Sequence, residues 1–252
     1  MKQIDFVVAG KRYEYSVPEK WDEVTAEQFM AYVAADGKID VDFVRRLMGL
    51  DDVVSVSLTI SDWWVLVHEF DWMTDTEAVR RNYMDEVKMP DGTTFYGYNA
   101  DFSDVTWEEW TFADTYANAG RWEVMAAVLY RPERPDWDRE SDRRIPFTKY
   151  GTEKRMELTQ KLNKLTMRAI QMNYVLLRKR LTDHYVHLFY EPMEDDGHGH
   201  RKQTKQNTDW LGLIRQMMGD NFYEEQKYLS LPVPSVLFQL ENKVKESRSH
   251  GK

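Results

Sequence analysis

The stretch that decides the fold is VTWEEWTFADTYANAGRWEVMAAVLY, residues 105–130. Thr106 and Glu109 stand three positions apart at the start of a partly apolar run, which is the pattern of a helix-opening capping box. Gly120 predicts the end of this first helix. Residues 122–130 are almost wholly apolar and predict a second, buried helix that stops before Pro132. The stretch therefore predicts two consecutive helices within a mainly α-helical protein.

A similar arrangement stands near the amino terminus. Alternating apolar residues over 4–17 predict a β-hairpin, which a predicted capping box at Thr25 and Gln28 follows. A second hairpin, with its turn at 90–92, precedes Thr106 in the same way. Two copies of a unit with one hairpin and two helices would explain this pattern. Convergence on a good helix start explains it equally well.

The remainder of the chain predicts a long helix and two loops. Residues 131–144 hold ten charged residues and two prolines in fourteen positions, which predicts a solvated excursion rather than a core element. A basic amphipathic helix follows, whose apolar positions step by four and three as in a helix that packs against a partner. These positions are Leu158, Leu162, Leu165, Ala169, Met172 and Leu176.

The predicted fold class is thus mainly α: a helical bundle with a long central helix and one or two small antiparallel β-hairpins. Five regions are predicted along the chain. They are an acidic region of hairpins and helices at 1–130, a charged Pro-rich loop at 131–151, the long helix at 152–190, a mobile polar loop at 191–208 and carboxy-terminal helices at 209–252.

Composition excludes several kinds of site. The chain has no cysteine, which rules out disulfides, thiolate metal sites and a cysteine nucleophile. Glycine-rich phosphate loops and the nucleophile elbow are missing from the sequence. We therefore predict no catalytic residue and no cofactor.

The sequence also bears on localisation. The longest apolar run, 124–130, is far shorter than the roughly 18 residues of a membrane span. An acidic residue near the amino terminus interrupts the apolar stretch that a signal peptide needs, so we expect a cytoplasmic protein.

Charge is divided unevenly along the chain. Residues 1–152 carry 17 Lys and Arg against 30 Asp and Glu, whereas residues 153–252 carry 17 against 13. The difference predicts either two regions with different partners or two halves that attract one another. Between 153 and 180, eight basic residues accompany two acids. This basic helix could bind nucleic acid, although an acidic partner fits better because the flanking residues are aliphatic rather than aromatic.

Histidine gives the best candidate for a metal site. His184 and His187 are spaced for one helix face, and His198 and His200 follow in the predicted loop. Neutral imidazoles from a helix and a loop could converge on zinc or nickel. The glycine-rich surroundings of the last two favour a solvated linker instead, and we predict no metal site.

Candidate interaction residues come from the aromatic and apolar positions. Trp63 and Trp64 are neighbours, and on a helix they point about 100° apart, so both cannot face one core. One of them is expected at a hairpin contact, at a contact between helices or at an interface, where tryptophan is enriched. Leu165 and Met172, in the stepped apolar positions, and Arg168, on the basic helix, complete the predicted interaction residues.

Several motifs, in order, resemble a set of proteins that tailed phages and prophages encode among their tail genes, near the tape measure. The motifs are Trp21 with Thr25 and Gln28, the hairpin end at 96–98, the helix start at 106–114, residues 126–132, 210–214 and 234–240. The resemblance implies a non-enzymatic, chaperone-like tail-assembly protein in the bacterial host cytoplasm that binds tape-measure or tail-tube proteins. Thirteen methionines would offer adaptable apolar contacts for such partners.

Three alternatives stay open beside this function. One is a structural tail or neck protein that remains in the virion. A second is a nucleic-acid-binding protein that uses the basic helix 154–180. A third is a metal-dependent enzyme around the four histidines, and a homo-oligomer formed through the long helix is compatible with any of these.

Overall fold

The computed structural model describes residues 1–189 and 222–250. In this part of the chain there are eleven helices and two small antiparallel sheets, which confirms the predicted fold class. The helices are α1 (Ala26–Ala34), α2 (Val41–Met48), α3 (Asp52–Ser57), α4 (Ile60–His68), α5 (Trp107–Asn118), α6 (Trp122–Leu129), α7 (Lys149–Thr159), α8 (Lys164–His184), α9 (Val186–Phe189), α10 (Phe222–Leu229) and α11 (Val233–His250). The strands are β1 (Lys2–Val8), β2 (Lys11–Val17), β3 (Glu86–Lys88), β4 (Thr94–Tyr96) and β5 (Arg131–Pro132).

The chain forms two compact units, which do not follow the five predicted regions. The first contains Met1–Met84 and Asn163–Leu176, and the second contains Asp85–Leu162 and Leu177–Lys252. The division falls inside α8. Each unit begins with a hairpin followed by two helices, so the predicted succession of elements occurs once in each unit.

The first unit is built around an aromatic core. Trp21 is buried against the edge of Tyr32, and the ring of Phe29 stacks on Tyr83 at a centroid distance of 4.7 Å. The Tyr83 hydroxyl donates a 2.5 Å hydrogen bond to the Trp21 carbonyl. Burial raises the pKa of Tyr83 above its ordinary value, so this hydroxyl keeps its proton and remains a donor. Asn173 joins the core by accepting a 3.0 Å hydrogen bond from the Tyr83 amide.

The second unit is built around α6. Every residue from Val124 to Tyr130 is buried, as the apolar sequence predicts. α6 packs against both α5 and α7. The chain before α11 lies beside the start of α5, where the Trp107 amide donates to the Leu231 carbonyl at 2.8 Å. β5 extends the predicted second hairpin to three strands in the order β3-β4-β5.

The single helix predicted over 152–190 is wrong. The chain forms α7, α8 and α9 there, with a break between Thr159 and Lys164. The side chain of Asn163 accepts a 2.8 Å hydrogen bond from the Thr166 amide, which is how an asparagine opens a new helix. An apolar period alone does not reveal this break, because it continues through the interruption.

The buried face of α8 also differs from the predicted apolar positions. Leu165 is 40% exposed, and Met172 and Leu176 are half-buried. The buried side chains of α8 are Ala169, Ile170, Asn173, Tyr174, Leu177, Leu181 and Thr182. Most of them recur at intervals of three or four residues, so the buried face of the helix includes Ile170 and Tyr174. Of the positions between 158 and 176 whose steps of four and three predicted the packed face, only Ala169 lies in the core.

The structure describes only some of the carboxy-terminal residues for which predictions were made. The polar loop at 191–208 and the helix predicted to follow it at 210–218 lie outside the described residues. The predicted last helix is α11, with Leu237 and Leu240 buried. Among the described helices, none combines the length and the apolar composition that a bilayer crossing requires.

The orientation of α8 can be tested with two aliphatic positions. Ile170→Asp should lower the free energy of unfolding by about 3–5 kcal/mol, because a charge would be buried without a partner. Leu165→Asp should cost less than about 1 kcal/mol, because this position reaches solvent. Urea unfolding followed by circular dichroism measures both. Equal costs at the two positions would contradict the orientation of α8.

Candidate functional site

Three charged side chains form a cluster inside the second unit. Glu109 on α5, Arg131 on β5 and Arg144 in the following loop each expose 2% or less of their side-chain surface. Glu109 Oε1 lies 2.6 Å from Arg131 Nη1 and 3.4 Å from Arg144 Nη1. The cluster explains why the capping box at Thr106 is incomplete. Thr106 accepts from the Glu109 amide, but the Glu109 carboxylate pairs with the arginines.

Two further carboxylates complete the cluster. Asp142 accepts from Arg144 at 2.9 Å and from Arg131 at 3.1 Å, while Asp104 lies 3.2 Å from Arg144. Arg144 also donates to the Leu129 carbonyl at 2.8 Å. Nearly every donor of this guanidinium therefore has an acceptor, which buried arginine requires.

Burial and charge act in opposite directions on these groups. Burial raises the pKa of Glu109 and of Asp104, against the effect of the neighbouring Arg144. Burial disfavours the Arg144 cation, but Glu109, Asp104 and Asp142 outweigh it and raise the pKa of Arg144. The pKa of Arg155 is lowered to about 10, mainly because the side chain is buried and also because Arg131 repels its positive charge. Glu109 is enclosed and ion-paired, so it is suited to holding the fold rather than to meeting a substrate.

The cluster corrects the prediction that 131–144 is wholly solvated. The middle of the segment is largely exposed, but Arg131 and Arg144 at its two ends are in the core. Charge density predicts solvation only when charges lack partners, and here Glu109 and Asp104 supply partners from outside the segment while Asp142 supplies one from within it. The one sequence signal was the position of Arg131 directly after a fully apolar helix.

A cleft of about 490 Å³ lies beside this segment, within the second unit. Its acidic side chains include Asp85, Glu86 and Glu140. The aromatic side chains that line the cleft are in contact with an arginine of the protein itself. The Arg143 guanidinium lies 3.5 Å from the centroid of the Tyr96 ring and 4.7 Å from that of Trp137. These cation–π contacts hold the exposed part of the segment in place.

The first unit carries a surface of a different kind, on α3 and α4. Five large apolar side chains there are more than half exposed, from 53% for Val65 to 89% for Ile60. We call them the α3–α4 apolar face: Val53, Val56, Ile60, Trp64 and Val65. Seven other large apolar residues are exposed elsewhere in the described chain. Concentration of this kind on two consecutive helices is typical of an interaction site.

The composition of α4 explains why this face is unusual. Six of its nine residues are apolar, on both sides of the helix. Leu66 is buried, and Trp63 and Val67 beside it are half-buried. Ile60 and Trp64 point outward. A helix that is apolar on all sides is normally covered on all sides, so its outer face lacks the cover that its composition calls for.

The predicted interaction residues lie on two helices of the first unit. Trp64 is 63% exposed on α4, while its neighbour Trp63 is half-buried. Leu165, Arg168 and Met172 lie on α8. Arg168 pairs with Asp36 at 2.5 Å, and both side chains are largely exposed. The exposed residues of α3 were missed, because the sequence reading assigned no helix to 52–57.

Several of the basic residues at 154–180 form ion pairs or hydrogen bonds within the protein. Arg155 is buried and donates to the Ala127 carbonyl at 2.7 Å. Arg178 pairs with the buried Asp114 at 2.5 Å, and Lys179 pairs with Asp183 at 2.7 Å. Such contacts leave fewer cations for phosphates. They favour the interpretation in which the basic and acidic parts of the chain attract one another.

Of the four histidines considered as metal ligands, the structure describes two, His184 and His187. His184 contacts Tyr185 edge-on, and the His187 amide donates to Glu241 at 3.3 Å. His198 and His200 lie outside the described residues. Within 1–189 and 222–250, no three histidine or acidic side chains are placed to hold a metal ion together.

Comparison with known proteins identifies no relative. No protein-family model matches the chain, and no curated protein or solved structure matches it either.

The structural role of the charge cluster can be tested at adjacent positions. Glu109→Gln should lower the free energy of unfolding by about 3–5 kcal/mol, because it leaves two buried guanidiniums short of negative charge. Glu108→Gln is the matched control. This residue forms a 3.3 Å pair with Lys149 on the surface, and its loss should cost less than about 1 kcal/mol.

Guanidinium chloride unfolding of both variants gives the comparison. If Glu109→Gln were as stable as Glu108→Gln, the cluster would not stabilise the second unit.

Proposed function

We propose that this protein works by binding another protein through the α3–α4 apolar face. The observation that carries the proposal is the exposure of Val56, Ile60 and Trp64 on two consecutive helices. An exposed tryptophan beside branched aliphatic side chains is the usual composition of an interface centre. Covering these side chains would remove apolar surface from water, which favours association.

The sequence resemblance supports a particular setting for this binding. We propose that the protein is a chaperone-like tail-assembly protein of a phage or prophage, and that it covers apolar helices of a tape-measure protein during assembly. A protein that holds a long helical partner needs an exposed apolar surface of its own. The alternative within the same setting is a structural protein that remains in the tail or neck.

Mass spectrometry of infected-cell lysate and of purified particles separates these two functions. A chaperone-like protein should be abundant in lysate and depleted from particles, because it leaves when assembly is complete. A fixed copy number in particles would make it a structural component. A host in which no particles form would contradict the phage setting altogether.

The contribution of the α3–α4 apolar face can be measured with exposed aromatic positions. Trp64→Ser should weaken binding to the tape-measure protein of the same genome by about 2 kcal/mol, or roughly thirtyfold, as expected for an interface centre. Phe238→Ser is the matched control, because Phe238 is 60% exposed on α11 in the second unit. Co-expression followed by titration of the purified proteins gives both affinities. Equal losses would place the binding surface elsewhere.

A further inference from the structure

The α3–α4 apolar face lies in the most acidic part of the first unit. Residues 40–75 contain eight Asp and Glu against two Arg. Two of the acids are already paired, Asp52 with Arg45 at 2.9 Å and Glu69 with Lys2 at 2.6 Å, which leaves six others in this stretch. Hydrogen bonds from Thr59 hold the pKa of Asp62 below its ordinary value, so this carboxylate is ionised at neutral pH. The apolar side chains therefore belong to a stretch of the first unit with a net negative charge.

The outer side of α4 presents its side chains in a helical row. Ile60, Trp64 and His68 follow one another at intervals of four residues, which places them on one side of the helix. The Trp64 and His68 rings lie 4.0 Å apart between centroids, and the His68 Nδ1 atom lies 2.9 Å from the Trp64 carbonyl oxygen. A ridge of this kind packs best against the groove between side-chain rows of another helix.

The charge distribution distinguishes between candidate occupants. Two copies that met through this face would bring the same acidic residues together, because a two-fold interface pairs a surface with itself. Opposed carboxylates would disfavour that contact. A cationic partner gains from the same charges. Its apolar residues would cover the face while its lysines and arginines met the acidic surroundings.

We propose that the α3–α4 apolar face binds an amphipathic helix of another protein, whose apolar stripe is flanked by lysine and arginine. This inference rests on the proposed function and adds the chemistry of the partner. The apolar stripe supplies the cover that α4 lacks, and the basic flanks select the partner. Selection by charge acts mainly on specificity and on the rate of association, and it weakens as salt screens the charges.

Three labelled synthetic helices test the partner chemistry on the full chain. They share one apolar stripe and differ only in flanks of lysine, glutamine or glutamate. Fluorescence anisotropy in 50 mM and in 500 mM NaCl gives the six dissociation constants. We expect the lysine peptide to bind about tenfold tighter than the glutamate peptide at low salt, a preference that shrinks to within about threefold at high salt.

Two pairs of variants locate the effect. Trp64→Ser should weaken all three peptides, whereas Phe238→Ser should weaken none. Asp52→Asn with Glu69→Gln should reduce the preference for lysine about threefold without abolishing binding. Asp136→Asn with Glu133→Gln is the control, since these two exposed acids also form ion pairs, but in the second unit. This control should leave the preference unchanged.

The outcomes separate this inference from the proposed function. Binding that depends on Trp64 but not on peptide charge would overturn the basic partner and keep the apolar docking surface. No binding of any peptide would overturn both. A dimer detected by light scattering that Trp64→Ser dissociates would identify a second copy as the occupant and would also overturn the basic partner.

Discussion

The contact between Glu109 and Arg131 is the constraint on which the second unit depends. It takes the Glu109 carboxylate away from the start of α5 and fixes β5 against that helix. Arg144 joins the same carboxylate, so both ends of the segment 131–144 are anchored in the core. An isolated buried charge would cost more than the unit could sustain. The cluster is therefore tolerated only because arginines and carboxylates are matched within it.

The first unit is held together by aromatic packing instead of buried charge. Trp21, Phe29, Tyr32 and Tyr83 form its centre, and Asn173 supplies a hydrogen bond from α8. With the core already filled, α4 contributes only one side to it. The other side keeps Ile60 and Trp64 in solvent. That arrangement is costly for an isolated protein and useful for one that binds a partner, which is the basis of the proposed function.

The uneven charge along the chain has a local explanation. Arg168 and Arg178, from the basic region, pair with Asp36 and Asp114, from the acidic region. Each pair forms within one of the two units. In the stretch 40–75, Asp52 and Glu69 are paired with Arg45 and Lys2, but the eight acids still outnumber the two arginines of that stretch. The remaining negative charge is the basis of the proposed preference for a basic partner.

The sequence by itself determined the elements that local chemistry controls: the two hairpins, the helix starts at Thr25 and Thr106, and the burial of α6. It also indicated that Trp63 and Trp64 face different surroundings. Only the tertiary structure decided that Glu109, Arg131 and Arg144 share one buried site, and that α8 buries Ile170 rather than Leu165. It also decided that the large apolar side chains of α3 and α4 reach solvent. These outcomes depend on contacts between residues far apart in the chain. Periodicity and composition describe residues that are neighbours in sequence, so they do not predict such contacts.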